Sequence, residues 1–310
     1  MMRAKTVTVF LVIVALALTA VGCGRQSSDE DTAPVARTQS TKRNIEISPS
    51  VPSSETGGPA TRGSSVITFE SDPATIRPNK IVLFDNAHKE LFTPYGTGQT
   101  GYSEMQAILN KYGYNVRMNT GPITDLVLKD VDAVVIAGPM ADFTVQEIDA
   151  LARFAELGGD ILITTHISDT VEALAQRFGI QLSNAVIAQS HDTIENRPKW
   201  FITRNIADSP INNNVTSFAV LASWALRPRG EHAMVIISSE KDSWADLEAD
   251  DIYRVGEPVG AYGLAAISSY GRGRVAFFGD DAVFTNRALS LASNRTLCEN
   301  ILKWFEGSKK

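Results

Sequence analysis

The 310-residue chain sets 29 Lys and Arg against 35 Asp and Glu, a net charge of −6, and is 44% hydrophobic. A mildly acidic balance without a basic patch excludes nucleic acid as a partner and gives anionic lipid headgroups nothing to attract. Two cysteines, Cys23 and Cys298, exclude a disulfide-stapled scaffold.

Arg3 and Lys5 open the chain, residues 6–20 are almost wholly apolar, and Ala20-Val21-Gly22 leads into Cys23. A basic start, a short apolar stretch and small residues at a cut describe a secretory signal. A cysteine at the first mature position resembles a prokaryotic lipobox, with Ala20 where Leu is more usual. The expectation is a signal peptide over residues 1–22, lipidation at Cys23 and a lipid-anchored protein on the extracytoplasmic face of a membrane. More than one acyl chain, at ~0.8 kcal/mol per buried methylene, holds a protein stably on a bilayer. The alternative is an uncleaved membrane helix, although the run is short against the ~20 residues a span needs. Gly24 in place of Asp carries no inner-membrane retention signal, leaving periplasmic and cell-surface locations both open.

Residues 23–76 are rich in Ser, Thr, Pro and Gly and poor in large apolar side chains. Such a segment cannot offset the entropy of ordering and reads as a flexible tether, with a mean reach of ~40 Å for ~50 residues. Within it, residues 66–69 (VITF) suit a small strand or contact.

Residues 77–307 carry the punctuation of an α/β domain, with 308–310 as a tail. Residues 81–84 (IVLF) run into Asp85, as a strand buried on both faces does. Met105, Ile108, Leu109 and Tyr112 share a helical face before Gly113, and residues 114–118 and 131–137 read as strands. Thr144 and Glu147 form a capping box that opens a helix bearing Ile148, Leu151, Phe154 and Ala155 on one side, closed by Gly158-Gly159. Residues 160–165 are a fourth strand and 169–178 a helix. This alternation predicts a mostly parallel sheet with helices on both faces. Residues 186–211 read as an insertion or as loops with edge strands. Residues 217–222, 233–238, 261–269 and 273–279 are strands, and 287–306 a closing helix broken near Ser293. Cys298 falls among Leu297, Ile301 and Leu302, the setting of a buried free thiol.

Polar residues gather after three of these strands. Asp85, Asn86 and His88 follow the first, Thr165, His166 and Ser168 the fourth, and Asp280, Asp281, Thr285 and Asn286 the last. Ligands of open parallel sheets sit outside the carboxyl ends of the strands, so Asp85, Asn86, His88, His166, Asp280, Asp281 and Asn286 are the candidate pocket. Asp85 and His88 suit an acid–base pair. With Asp280 they suit a divalent metal, since carboxylates plus imidazole fit Zn or Mn. No other cofactor is indicated. The structural alternative has Asp85 accepting loop amides and His88 bonding nearby.

His166 stands where a nucleophile elbow would carry Ser or Cys, without the glycines of G-x-S-x-G, so nucleophilic catalysis is not expected. Gly96, Gly98 and Gly101 lie in a loop too long for a dinucleotide fingerprint, and the expectation is a mobile flap over the strand ends. Trp200, Trp224 and Trp244 with Tyr253 and Tyr262 either line a carbohydrate groove or pack.

Three stretches, IVLFDNAHKELFTP, VVIAGPMADFTVQEIDALARFAELGGDILI and YGRGRVAFFGDDAVFTN, resemble an uncharacterised group of extracytoplasmic domains with the class I glutamine amidotransferase-like, flavodoxin-like fold. Related non-enzymatic modules occur in gliding-motility, ABC-transporter accessory and intraflagellar transport proteins. The resemblance implies that fold over about residues 77–306. It also implies loss of glutaminase activity, because no Cys stands at the elbow and no H-x-E follows. Asp85 with His88, and Gly279-Asp280, recur in the group without an assigned role. The first functional expectation is therefore a lipid-anchored binding or scaffold module, accessory to a transport or envelope complex. The rivals are a metal-assisted or acid–base hydrolase using Asp85, His88, His166, Asp280 and Asp281, and a carbohydrate-binding accessory protein.

Overall fold

The computed structural model describes residues 79–307. The expected signal peptide, Cys23, the segment read as a tether with residues 66–69, and residues 308–310 lie outside the described residues. Among the described residues no helix is long and apolar enough to cross a membrane.

The first half alternates as its apolar periods dictate. It runs β1 (Lys80–Asp85), α1 (Ser103–Lys111), β2 (Tyr114–Asn119), α2 (Asp125–Leu128), β3 (Ala133–Ala137), α3 (Val145–Glu156), β4 (Asp160–Thr164) and α4 (Glu172–Arg177). The capping box at Thr144 and Glu147 forms as expected and starts α3. The second half is strand-rich: β5 (Ile180–Ala188), β6 (Thr193–Ile194), β7 (Arg197–Thr203), β8 (Asn205–Ile206), β9 (Phe218–Leu221) and β10 (Trp224–Pro228). β11 (Ala233–Ser238), β12 (Trp244–Asp246), β13 (Gly263–Tyr270), β14 (Gly273–Phe278) and α5 (Asn294–Glu306) complete it. A 3-10 turn at Asp281–Phe284 follows β14, and a second at Ala288–Ser290 stands where the closing helix was expected to begin.

The main sheet has 11 strands, with the path β12-β5-β10-β13-β14-β4-β3-β1-β2. From β2 to β14 all pairings are parallel. Beyond β14 they are antiparallel. The sheet is thus parallel at its centre and mixed overall, a correction to the mostly parallel expectation. The cause is local: β13 and β14 are joined by a tight turn at Gly271, whose φ of +60° suits glycine, and a hairpin can only pair antiparallel strands. The segment read as loops with edge strands instead holds the end of β5, β6, β7 and β8, and β6-β7-β9 form a separate sheet.

Alternate residues of the central strands enter two different cores. Val82, Phe84, Ala133, Val135 and Leu162 pack with Met105 and Leu109 of α1 and Leu297 and Ile301 of α5. Leu83, Val134, Ile136, Ile161 and Ile163 pack with Ile148 and Leu151 of α3 and Leu174 of α4. Each of these large side chains contributes ~1.5–3 kcal/mol by burial. That burial fixes strand register, and with it which residues emerge at the carboxyl edge.

Candidate functional site

The strand-end residues separate into two clusters. The first is built on β1. Parallel register sets Asp85 opposite Asn119 of β2, and Asn119 Nδ2 donates to Asp85 Oδ1 at 2.8 Å. The chain then turns so that His88 Nδ1 meets Asp85 Oδ2 at 2.5 Å, while the His88 amide donates to Glu90 Oε2 at 3.0 Å. His88 Nε2 lies 3.3 Å from Glu147 Oε1, and the ring stacks on Phe143 at 3.8 Å between centroids. Glu147 is held in turn by the Ile123 and Thr144 amides, at 3.1 and 2.9 Å. Asp85, His88 and Glu90 are 2%, 5% and 7% exposed, so this cluster is closed to solvent.

Electrostatics follow from that burial. Burial alone would lower His88, but the Asp85 hydrogen bond and the charges of Asp85 and Glu147 outweigh it and hold its pKa above the ordinary value. Burial alone would raise Asp85; the bonds from His88 and Asn119 outweigh it and hold the carboxyl below the usual range. Burial pushes Glu90 up to about 8, the facing Asp85 carboxylate adding to it.

The second cluster spans β4 and β14. His166 Nδ1 sits 2.8 Å from Asp281 Oδ2, with the two side chains 30% and 10% exposed. The Asp281 hydrogen bond raises His166 against the opposing effect of burial. Asp280 points the other way. Its Oδ2 accepts from the Leu221 amide at 2.5 Å and its Oδ1 from the Ala282 amide at 2.8 Å, capping a 3-10 turn. Burial pushes Asp280 up to about 8, with the charge of Asp281 adding to it and the two amides opposing. Among the described residues no Ser, Thr or Cys side chain hydrogen-bonds the His166 ring; Ser168 Oγ is 2.9 Å from Thr170 Oγ1, which donates to Pro139 O.

Gly138, at the end of β3, lies between the clusters. Its carbonyl accepts from the Leu91 amide at 3.1 Å, and a Cβ on it would stand 2.5 Å from Asp281 Oδ2. With φ at +69° this position requires glycine twice over.

The single pocket expected from sequence is therefore not one group. Asp85 and His88 come together, as do His166 and Asp281, but Asp280 is not beside Asp85 and His88, a correction to the expected metal set. Among the described residues the group with three ligand atoms within 4.8 Å of one another is Asp85, His88 and Glu90. Asn86 donates its amide to Asn119 O at 2.9 Å and is half-buried. Asn286 ties the glycine loop down: its Nδ2 lies 2.8 Å from Gly98 O and 3.0 Å from Ser103 Oγ. The Asn286 and Arg287 amides bond Gly101 O and Gln99 O. The expected free flap is a fastened loop.

Sequence reasoning missed Glu90, Glu147 and Asn119. Glu147 had been assigned wholly to its cap, and only strand register brings Asn119 to Asp85.

Of the five aromatics read as a candidate groove, Trp244 and Tyr262 are packed, 4% and 3% exposed, Tyr253 is exposed, and the Trp200 ring lies against Arg197 and Arg287, at 4.1 and 4.7 Å. Two depressions lie away from the strand ends. One of about 420 Å³ is lined by His191, Arg204 and Asp242. The other, of about 830 Å³, is lined by Leu126, Phe154 and Leu157 at the amino-terminal edge of β3 and β4.

Among solved structures, the mmIFT52 N-terminal domain superposes with a TM-score of 0.60 at 19% identity, covering 73% of this chain and 97% of that one. A ThuA-like protein from Bacteroides uniformis gives a TM-score of 0.45 at 13% identity, covering 76% and 95%. Cytoplasmic protein STM1381 from Salmonella typhimurium gives 0.46 at 15% identity, covering 72% and 98%. The first likeness shows a shared fold. No curated protein matches the sequence. The model of one family, Domain of unknown function (DUF4350), matches residues 94–302, from the loop after β1 into α5, and the chain belongs to that family.

Proposed function

We propose that the chain is a lipid-anchored, extracytoplasmic binding module without catalytic activity, carrying a glutamine amidotransferase-like, flavodoxin-like domain with helices on both faces of its sheet. One observation carries the non-catalytic reading: the polar groups at the strand ends are consumed by structure. His88 is clasped between Asp85 and Glu147, Asp280 caps a turn and Asn286 fastens a loop. A reacting group needs access to substrate; His88 and Asp280 are buried, and the Asn286 amide is engaged by the loop it fastens. The anchor rests on the residues before Cys23 and on the long polar segment after it.

A second reading, an acid–base hydrolase, draws on the half-buried His166–Asp281 pair. One set of experiments separates them. The full chain and Cys23→Ser are expressed with labelled palmitate, then fractionated. Label in the membrane fraction, lost with Cys23→Ser, is the expected result, and unlabelled material refutes the anchor. The purified chain is then assayed with ester, amide and glycoside substrates. Turnover that disappears in His166→Ala refutes the non-catalytic reading and establishes the hydrolase.

A further inference from the structure

We infer that Asp85, His88 and Glu90 form a closed site for one divalent first-row transition cation of the Zn2+ or Mn2+ kind, built from Asp85 Oδ2, His88 Nδ1 and Glu90 Oε1. This inference does not depend on the proposed function. One ligand atom from each of the three residues lies within 4.8 Å of the other two. Independently of that clustering, Glu90 Oε1 is buried and has no hydrogen-bond partner, on a side chain with 0% exposure. It faces His88 Nδ1 at 4.0 Å. A buried carboxylate oxygen left without a donor costs ~1–3 kcal/mol or more, so it calls for either a proton or a cation.

The surroundings match what a ligating histidine needs. A histidine that binds through one ring nitrogen donates the other N–H to a carboxylate or carbonyl, which fixes ring and tautomer. His88 has Glu147 Oε1 3.3 Å from Nε2, and backbone amides anchor Glu147. Phe143 stacked on the ring prevents it from swinging away. Asn119 holds the far oxygen of Asp85, leaving Oδ2 aimed at the site.

Charge points the same way. Among the described residues His88 is the one cationic group within 4.0 Å of the Asp85 and Glu90 carboxylates. A dication with a neutral imidazole balances both carboxylates, displacing the proton between Nδ1 and Oδ2 and the one the buried Glu90 carboxyl otherwise holds. Ligands at ~2.0–2.2 Å from a tetrahedral ion lie ~3.3–3.6 Å apart. His88 Nδ1 stands 2.5 Å from Asp85 Oδ2 and 4.0 Å from Glu90 Oε1, so loading parts the first pair and draws in the second. One imidazole nitrogen with two carboxylate oxygens suits Zn2+ or Mn2+ better than Ca2+, which takes oxygen ligands alone.

The cation is structural on this geometry. It joins the end of β1 to a turn whose His88 carbonyl accepts from the Met140 and Ala141 amides at 2.9 and 3.0 Å. Loading it therefore staples β1 to the loop after β3.

The test uses the full chain, purified without a histidine tag. Metal content is measured by plasma mass spectrometry. The chelator-stripped chain is then titrated with Zn2+ alone and Mn2+ alone by calorimetry and thermal shift. The expected result is one cation per chain, a rise in Tm on loading, and at least a tenfold loss of affinity in Glu90→Gln. That variant keeps the shape of the side chain, and its native circular dichroism is checked first. Should it fail to fold, Co2+ added to the stripped wild type gives the deciding readout, a visible d–d spectrum of tetrahedral type. Absence of saturable binding, affinity unchanged in a folded Glu90→Gln, or a Co2+ spectrum identical to the free ion overturns the inference.

Discussion

Asn286 separates the pocket reading from the structural one. Its Oδ1 accepts from the Glu104 amide at 2.8 Å. Its Nδ2 lies 2.8 Å from Gly98 O, 3.0 Å from Ser103 Oγ and 3.3 Å from Gly96 O. Helix α1 has no side-chain cap from its own N-cap residue, so Asn286 supplies that cap from the far end of the chain. Losing an N-cap costs ~0.5–2 kcal/mol. Two amide hydrogens cannot fully serve three acceptors, so the donor side adds about two bonds at ~0.5–1.5 kcal/mol each. Water replaces part of this at a half-buried position, and the expected loss in Asn286→Ala is about 2 kcal/mol. At ~2–3 kcal/mol/M in urea, that moves the unfolding midpoint down by about 1 M. Tryptophan fluorescence on the full chain reads the transition, and limited proteolysis should find residues 96–101 newly cleavable. Asn286→Asp keeps the acceptor and should fall between the two. A loss under about 0.5 kcal/mol in Asn286→Ala refutes the clamp and returns Asn286 to the list of ligand-facing residues.

Three further outcomes follow from the same geometry. The His166 ring should titrate above 6.5 by NMR, and Asp281→Asn should bring it back toward that value. Because the folded value is the higher one, the stabilisation from this pair is present below about pH 6.5 and is lost as pH rises through the folded pKa. Gly138→Ala forces a left-handed φ on an L-residue, ~1–2 kcal/mol, and drives a methyl against Asp281. A chemical-denaturation loss of at least about 2 kcal/mol is expected, and a neutral result contradicts the packing described for Asp281. Cys298 is 1% exposed and burial pushes its thiol up to about 12, so a thiol reagent should leave it untouched in the native chain. The denatured chain should show one titratable thiol in total if Cys23 is acylated and two if it is free.

The central fold was legible because its signals are local. The apolar run at residues 81–84, the capping box at Thr144 and the Gly158-Gly159 stop each act within a few residues, and each element formed where its signal lay. The second half was less legible because its strands lean on partners distant in sequence. β7 carries an exposed Arg197 and half-buried Lys199 and Trp200 and becomes a strand by pairing with β9. β10 is set between β5 and β13 by two antiparallel neighbours, neither adjacent to it in the chain. Polar, short strands of this kind have little pattern of their own, since strand preference mostly reflects what the neighbours offer.

The site divides along the same line. D-x-x-H at Asp85 and His88 is a contact of three residues' separation, and the loop delivers it. Whether His88 is then free to act is decided by Glu147, 59 positions beyond it and already engaged at the start of α3. Sequence spacing marks which residues reach the carboxyl edge; it carries no record of what fills the space above them. That difference changes the chemistry expected here. An aspartate and a histidine open to solvent form an acid–base pair, whereas the same two under Phe143, between Glu90 and Glu147, form a closed cluster whose charges must be balanced from within. Burial makes proton exchange with a substrate impossible and makes compensation by a proton or a cation obligatory. The β1 cluster is therefore expected to govern whether the edge of the sheet holds together, and the His166–Asp281 pair is left as the group at this edge that a ligand can reach.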